Sequence, residues 1–287
     1  MTSNLETLTE INLDDLVSSF GWQDSPLLAR LLRFFFRKPA RTFAQHVVEF
    51  DDTVGTHGIA EGGWNLSRRY VQDIRIIGAD RIPDSAFLAL SNHPGMTDTV
   101  TLFAALHRKD LRIIALDRHF LNALPHTTAQ LFYVYDDPAK RMTLVRQVSA
   151  HLKKGGAILT FPAGHIEPDP DIYPGAVESL KEWTDSVGVF IRMAPEAAIL
   201  PVLVRNVVAK KYANHWLLRI KKTKEEKEKL ATALQLLGMI LFDEKPVTVT
   251  VQIGNPIYVK ELGTNDTNVI HQAVLAEMKC LIENPPE

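Results

Sequence analysis

Cysteine is nearly missing from this 287-residue chain: Cys280 is the only one, so no internal disulfide and no cysteine-based metal cluster can form. Long apolar runs are missing as well. No stretch of 18 apolar residues occurs, which predicts that nothing spans a bilayer. Lys and Arg are absent from residues 1–24, which carry five acids, the opposite of a secretory or transit signal. Neither charge sign dominates, and a formal charge of −2 gives no global pull toward nucleic acid, so no such partner is expected. There is no Gly-x-Ser-x-Gly elbow, internal repeat, low-complexity tract or interior linker. What remains is ordinary globular usage, 46% hydrophobic and 23% charged, enough for a sizeable core. The composition agrees with a cytoplasmic protein built as one large domain, or as one domain with a helical appendage.

Helices are expected through about residue 70, then strands alternating with helices. The strand candidates are Val71–Ile77, Ala86–Leu90, Leu111–Leu116, Leu131–Tyr135, Gly156–Phe161, Ala198–Val204 and Val247–Ile253. Helices are expected at Thr97–His107, Ala139–Lys153, Ala176–Ser186, Glu225–Phe242 and Asn268–Glu283. Such alternation needs crossovers and implies an α/β fold: a largely parallel or mixed central sheet flanked by helices, with an N-terminal helical appendage. The division is residues 1–70 for the helical region and 71–287 for the main domain.

The most informative segment is Ser91-Asn92-His93-Pro94-Gly95-Met96-Thr97-Asp98, which joins a buried strand to a helix across a Pro-Gly corner. Asp98 falls in the helix's first turn, within reach of the imidazole. Two readings fit these residues. Asp98 either orients His93 as a general base, by fixing its tautomer, or simply caps the helix beside a buried histidine. Ser91, the last strand residue, is expected to bond locally rather than act as a nucleophile. A second corner, Phe161-Pro162-Ala163-Gly164, also follows a strand. Sites gather at strand carboxyl ends in such sheets, so both corners are expected to share one cleft. Backbone N–H groups around Gly164 are candidates to stabilise a developing oxyanion, because glycine lets the chain approach closely.

Asn92-His93-x4-Asp98 resembles the motif of the glycerolipid acyltransferases, and further blocks follow in the family's order. Ala115-Leu116-Asp117-Arg118-His119-Phe120-Leu121, with Pro125 after it, is similar to the family's post-strand segment. Phe161-Pro162-Ala163-Gly164 resembles its Phe-Pro-Glu-Gly block, Leu200-Pro201-Val202 its late strand, and Val249 to Ile257 its last core strand. The resemblance covers about residues 70 to 260. It implies an O-acyltransferase of phospholipid metabolism that moves a fatty acyl chain from acyl-CoA or acyl carrier protein to a glycerolipid or lysolipid hydroxyl, without a cofactor. It further implies His93 and Asp98 as catalytic residues. Asn92, Gly95, Phe161, Pro162, Gly164, His165 and Glu167 would be substrate-binding residues, and no metal is expected.

The departures bear on the acceptor. Where the family continues Glu-Gly-Thr-Arg-Ser, this chain has Ala163-Gly164-His165-Ile166-Glu167, and Tyr135 is followed by Asp136-Asp137 where an arginine is common. Arginine's planar fork suits phosphate; isoleucine and aspartate cannot replace it. Less dependence on an acceptor phosphate is therefore expected, with Arg118 and Arg141 as possible substitutes. His165 and Glu167 would offer hydrogen bonds to a hydroxyl, amine or zwitterionic headgroup instead. Two other classes stay open: a metal-dependent hydrolase using His93, Asp98, His165 and Glu167, and a non-catalytic lipid-binding module.

Two basic stretches stand out. Residues 25–41 hold five basic residues and no acids, starting at Ser25-Pro26 and expected to end as a helix at Pro39. Arg30, Arg33 and Arg37 share a stripe at 100° per residue, and Leu27, Leu28, Leu31, Leu32 and Phe34–Phe36 cover the remaining arc. This pattern reads as peripheral binding to a membrane lipid surface, or as a helix packed on the domain with solvated arginines. Lys210 to Lys224, enclosing Trp216-Leu217-Leu218, reads as a hairpin touching anionic headgroups or donor phosphates, or as a solvated face.

Overall fold

The computed structural model of the chain describes residues 2–95, 97–135 and 137–286, so Met96 and Asp136 of the segments above lie outside the described residues. The strands are β1 (Asp73–Ile77), β2 (Phe87–Ser91), β3 (Arg112–Leu116), β4 (Leu131–Val134), β5 (Ala157–Thr160), β6 (Ala198–Arg205) and β7 (Thr248–Ile253). Each boundary lies within two residues of the sequence expectation. They form one sheet in the order β1-β7-β6-β2-β5-β3-β4. Among the strand pairings of the described residues only β6–β7 is antiparallel, so the sheet is mixed and mostly parallel.

Period-two alternation splits the core into two layers. Phe87, Ala89, Ala157, Leu159, Leu200 and Val202 face one side of the sheet. There they meet α2 (Pro26–His57), α3 (Ile59–Tyr70) and α4 (Asp98–Leu106) through Phe50, Val54, Ile59, Leu66, Leu102 and Phe103. Leu88, Leu90, Ile158, Ile199 and Leu203 face the other side. They meet Val148 of helix Pro138–Lys153, Ile191 of helix Ser186–Met193, and Val274 and Met278 of helix Thr267–Glu283. β2 is buried along its whole length, as a central parallel strand covered on both faces must be. β5 and β6 flank it in parallel, so the chain leaves all three strands at one edge of the sheet.

The N-terminal helices depart from the sequence reading. α1 (Thr2–Phe20) lies along α2 and turns its acids onto the basic stripe. Arg33 pairs with Glu10 and Asp14, and Arg37 with Glu6 and with Glu10. Arg41 reaches Glu6 at 3.3 Å. Two of the three stripe arginines are therefore committed within the protein. α2 also runs through Pro39 to His57. An interior proline forfeits a hydrogen bond and clashes with the preceding turn, at a cost of about 3 kcal/mol. Packing offsets this: Pro39, Ala40, Ala44 and Val47 are buried, and the Asn12 side chain donates to the Ala40 carbonyl at 3.2 Å. Phe36 packs against the Leu16–Val17–Leu32 cluster, whereas Leu27, Leu31, Phe34 and Phe35 remain 79%, 52%, 78% and 64% exposed.

Two further expectations are corrected. Residues 210–224 form a helical turn (Lys210–Ala213) and a 3-10 turn (Trp216–Ile220), not a hairpin. The buried Leu218, packed on Leu230 and Phe20, pulls that segment down onto the helix Lys224–Phe242. The helix expected at Ala176–Ser186 breaks after Ser179 into a 3-10 turn (Leu180–Glu182). It is broken by tethers at its end: Trp183 is buried, and the Thr184 N–H donates to Pro162 at 3.2 Å. Among the described residues no helix is long and apolar enough to cross a membrane.

The α1–α2 ion ladder should contribute measurably. Glu10→Ala removes one ion pair from each of Arg33 and Arg37, leaving Asp14 and Glu6 as their partners, and should cost about 1 kcal/mol in denaturant unfolding at low salt, less at 1 M salt. A salt-independent loss would show that packing, not charge, joins the two helices.

Candidate active site

The corner after β2 is fixed before any functional group enters. The Asn92 side chain behaves as a missing strand partner: its Oδ1 accepts from the Val204 N–H at 2.8 Å and its Nδ2 donates to the Val204 carbonyl at 3.0 Å. Asn92 is buried, and this amide is spent on β6 rather than presented to a substrate. The Ser91 hydroxyl donates to the Asn92 carbonyl at 3.0 Å. Gly95 sits at φ +152°, a region that side-chain-bearing residues rarely adopt. That conformation aims its N–H at Asp98 Oδ2, 2.9 Å away.

Asp98 opens α4 and is fully buried. Its Oδ2 also takes a hydrogen bond from His93 Nδ1 at 2.8 Å. Its Oδ1 accepts from the Thr99 N–H and from the Thr99 hydroxyl, the latter at 2.9 Å. A carboxylate that only accepts assigns the proton to Nδ1, leaving Nε2 as the basic nitrogen. Nε2 has no hydrogen-bond partner among the described residues, and the side chain is 31% exposed. The ring lies 4.8 Å from that of Phe161, tilted by 37°. Burial pulls the His93 pKa down, but the Asp98 charge and hydrogen bond, with the Glu167 charge, outweigh it and leave it above the ordinary 6.5.

The corner after β5 stands beside this dyad. Gly164 has φ +72° and closes a turn by donating to the Phe161 carbonyl at 3.1 Å, so its own amide is engaged. The amides of Ala163 and His165 make no hydrogen bond to described residues. Pro162 is buried. His165 is exposed; its Nδ1 donates to the Ala163 carbonyl at 2.8 Å and its Nε2 pairs with Glu182 at 2.9 Å.

Glu167 differs most from its expected role. It is 2% exposed and unavailable to a headgroup. Its Oε1 accepts from Trp183 Nε1 at 2.8 Å and lies 3.2 Å from the Ser179 hydroxyl, whose single proton is shared with the Ala176 carbonyl at 2.9 Å. Its Oε2 accepts from the His93 N–H at 3.1 Å, and its own N–H donates to the His93 carbonyl at 2.9 Å. Desolvation raises its pKa, opposed by these hydrogen bonds. Trp183, Ser179 and Thr99 carry no motif in the sequence, and only folding shows their part. The four residues weighed as a metal set do not converge: the Asp98 and Glu167 oxygens are filled by protein donors. No group of three or more His, Cys, Asp or Glu side chains among the described residues could hold a metal ion.

Around the acceptor departures, Ile166 is exposed and Asp137 caps the helix Pro138–Lys153 by accepting from the Ala139 N–H at 2.8 Å. Arg141 Nε donates to the Tyr135 carbonyl at 3.0 Å, and Arg118 is exposed.

No protein-family model and no curated relative matches the chain. Among solved structures it is similar to the 1-acyl-sn-glycerophosphate (LPA) acyltransferase PlsC from Thermotoga maritima, with 16% identity and a TM-score of 0.42, over 98% of this chain and 94% of that one. A superposition this loose transfers neither residues nor activity.

The dyad makes a sign-specific prediction. Asp98 favours the protonated imidazole, so Asp98→Asn should lower the His93 titration midpoint, followed by histidine ring NMR with His93→Ala as the assignment control. An unmoved or raised midpoint in the folded variant would contradict the ionised-carboxylate assignment.

Proposed function

We propose that this chain is an acyltransferase that moves a fatty acyl group from an acyl thioester, acyl-CoA or acyl carrier protein, to a hydroxyl of a glycerolipid or lysolipid. The observation that carries this reading is the 2.8 Å bond from His93 Nδ1 to buried Asp98, which leaves Nε2 unpartnered beside the Phe161–Gly164 turn. The sequence blocks that resemble the glycerolipid acyltransferases support it. Nε2 takes the acceptor hydroxyl's proton as its oxygen attacks the thioester carbon. The resulting imidazolium lies against Asp98. The oxyanion that develops needs fixed donors, and the unpaired amides of Ala163 and His165 suit that role better than Gly164, whose N–H is spent in the turn. As the C–S bond breaks, the proton passes from Nε2 to the departing thiolate. No acyl-enzyme is involved.

The raised pKa of His93 sets the pH dependence. The base form appears only above that pKa, so kcat/KM should fall on the acid side with a midpoint above 6.5. The acceptor follows from the departures: with Ile166 and Asp137 in place of arginines, lysophosphatidic acid and glycerol 3-phosphate should be poor acceptors beside neutral or amine-bearing lysolipids. The test incubates the protein with acyl-CoA and acyl carrier protein thioesters against a panel of these acceptors and reads products by mass spectrometry. His93→Ala should lose about 10²–10⁴ in rate. Full activity in folded His93→Ala would sink the mechanism. A preference for a phosphate acceptor that is lost in Arg118→Ala would show that the clamp had moved.

Peripheral membrane association belongs to the same reading, through the exposed face of α2 rather than the arginine stripe. Leu27, Leu31, Phe34 and Phe35 would enter the interface, with the exposed Arg30 and Lys38 beside them. Phe34→Ser and Phe35→Ser should each weaken sedimentation with vesicles about tenfold, since burying such a side chain is worth about 1.5–3 kcal/mol. Binding unchanged in the double variant would rule out this face.

A further inference from the structure

We infer that Glu167 is a positioning residue for His93: its buried carboxylate holds the main chain on which the catalytic imidazole is mounted. The inference rests on the reading of His93 as the base. Both main-chain polar groups of His93 are taken by this one residue, the N–H by Glu167 Oε2 at 3.1 Å and the carbonyl by the Glu167 N–H at 2.9 Å. The far oxygen is anchored by Trp183 Nε1 at 2.8 Å, with the Ser179 hydroxyl 3.2 Å away sharing its single proton between this oxygen and the Ala176 carbonyl at 2.9 Å. The loop after β5 is thereby fastened to the corner after β2, and Trp183 and Ser179 brace the fastening from behind.

The choice of a carboxylate is informative. An anion in so dry a place is costly, and a loop that merely needed tying down would be served by an amide or a hydroxyl. Here every bond to the side chain comes from a donor, on both oxygens. A glutamine would set its NH2 against the Trp183 N–H or against the His93 N–H, whichever way it turned. Asp98 holds the ring of His93 and Glu167 holds its backbone, so the imidazolium formed during proton transfer lies near two fixed negative charges. The titratable groups facing His93 are Asp98 and Glu167; Glu167 in turn is faced by His93 and by His165, which is paired with Glu182.

The test compares full-length Glu167→Gln and Glu167→Asp with the native protein, by thermal melting, histidine ring NMR titration and steady-state kinetics. In folded Glu167→Gln the His93 midpoint should fall, and kcat should drop by up to about a hundredfold with KM little changed, as expected for a misplaced base. Glu167→Asp keeps the charge but is one methylene shorter; its midpoint should stay closer to native while kcat still falls. A carboxylate that only supports the fold would lower the melting temperature and leave the midpoint and the kcat of the folded fraction unchanged, and that result overturns the inference. If Glu167→Gln does not fold, Trp183→Phe removes one anchor without touching the carboxylate. Faster hydrogen exchange at the His93 amide in that variant supports the clamp, and unchanged exchange overturns it. Titration and exchange need no substrate, so a failure of acyl transfer with every acceptor would remove the functional reading and leave these results to be judged separately.

Discussion

Asp98 has no surface in contact with solvent, and a charge so placed is tolerable only because donors converge on it. Gly95 and Thr99 supply main-chain N–H groups, Thr99 adds its hydroxyl, and the last donor is His93 Nδ1. Much of the local architecture serves this arrangement. Gly95 must adopt a backbone angle foreign to other residues so that its amide can point inward. α4 must begin at Asp98 for its first turn to offer Thr99. The imidazole is thus one of several ligands of a buried anion, and its orientation follows from satisfying that anion. The bond that orients the His93 ring is one of those that make the buried Asp98 charge tolerable.

The dyad is local in sequence, but its setting is not. β2 lies between β5 and β6 only in the folded sheet, and the parallel run of these strands brings three separate loops to one edge. Each neighbour contributes a constraint on the corner that bears His93. β6 takes the Asn92 amide through Val204. The loop after β5 brings the Phe161 ring against the imidazole and Glu167 against its main chain. Trp183, from the segment where a continuous helix is broken, closes the back. A corner held from three sides keeps the imidazole in one fixed place.

The N-terminal helices show how packing reassigns a pattern. Read alone, residues 25–41 form a basic amphipathic helix with arginines available to headgroups. In the fold, α1 supplies Glu6, Glu10 and Asp14 along the same side, and Arg33 and Arg37 turn inward to them. The apolar arc is divided as well. Leu32 and Phe36 pack on α1, while Leu27, Leu31, Phe34 and Phe35 stay outside. The remaining surface is more apolar and less charged than the isolated helix.

The strands were legible because their signal is local: short apolar runs bounded by turn residues, with period two where one face meets each helical layer. The His93–Asp98 relation was legible for the same reason, since a strand-to-helix corner brings those positions together without help from elsewhere. Amphipathicity states that a face will be covered but never by what, so the fate of Arg33, Arg37 and Phe36 waited on α1. Proline's cost is local while the packing that offsets it is not, which is why α2 passes Pro39 against expectation. Glu167 is the clearest case. Its neighbours in sequence, His165 and Ile166, are exposed, and nothing in the chain's order sets it apart from a solvent-facing glutamate. Its bonds join His93, Ser179 and Trp183, contacts made only when β2 and β5 lie side by side. Sequence by itself determined the strands, the helical corner and the nearness of His93 to Asp98, because each depends on residues a few positions apart. Tertiary structure decided which charges are neutralised, which apolar faces remain open and which carboxylate bonds the His93 main chain, because those depend on distances between segments that the chain order does not encode.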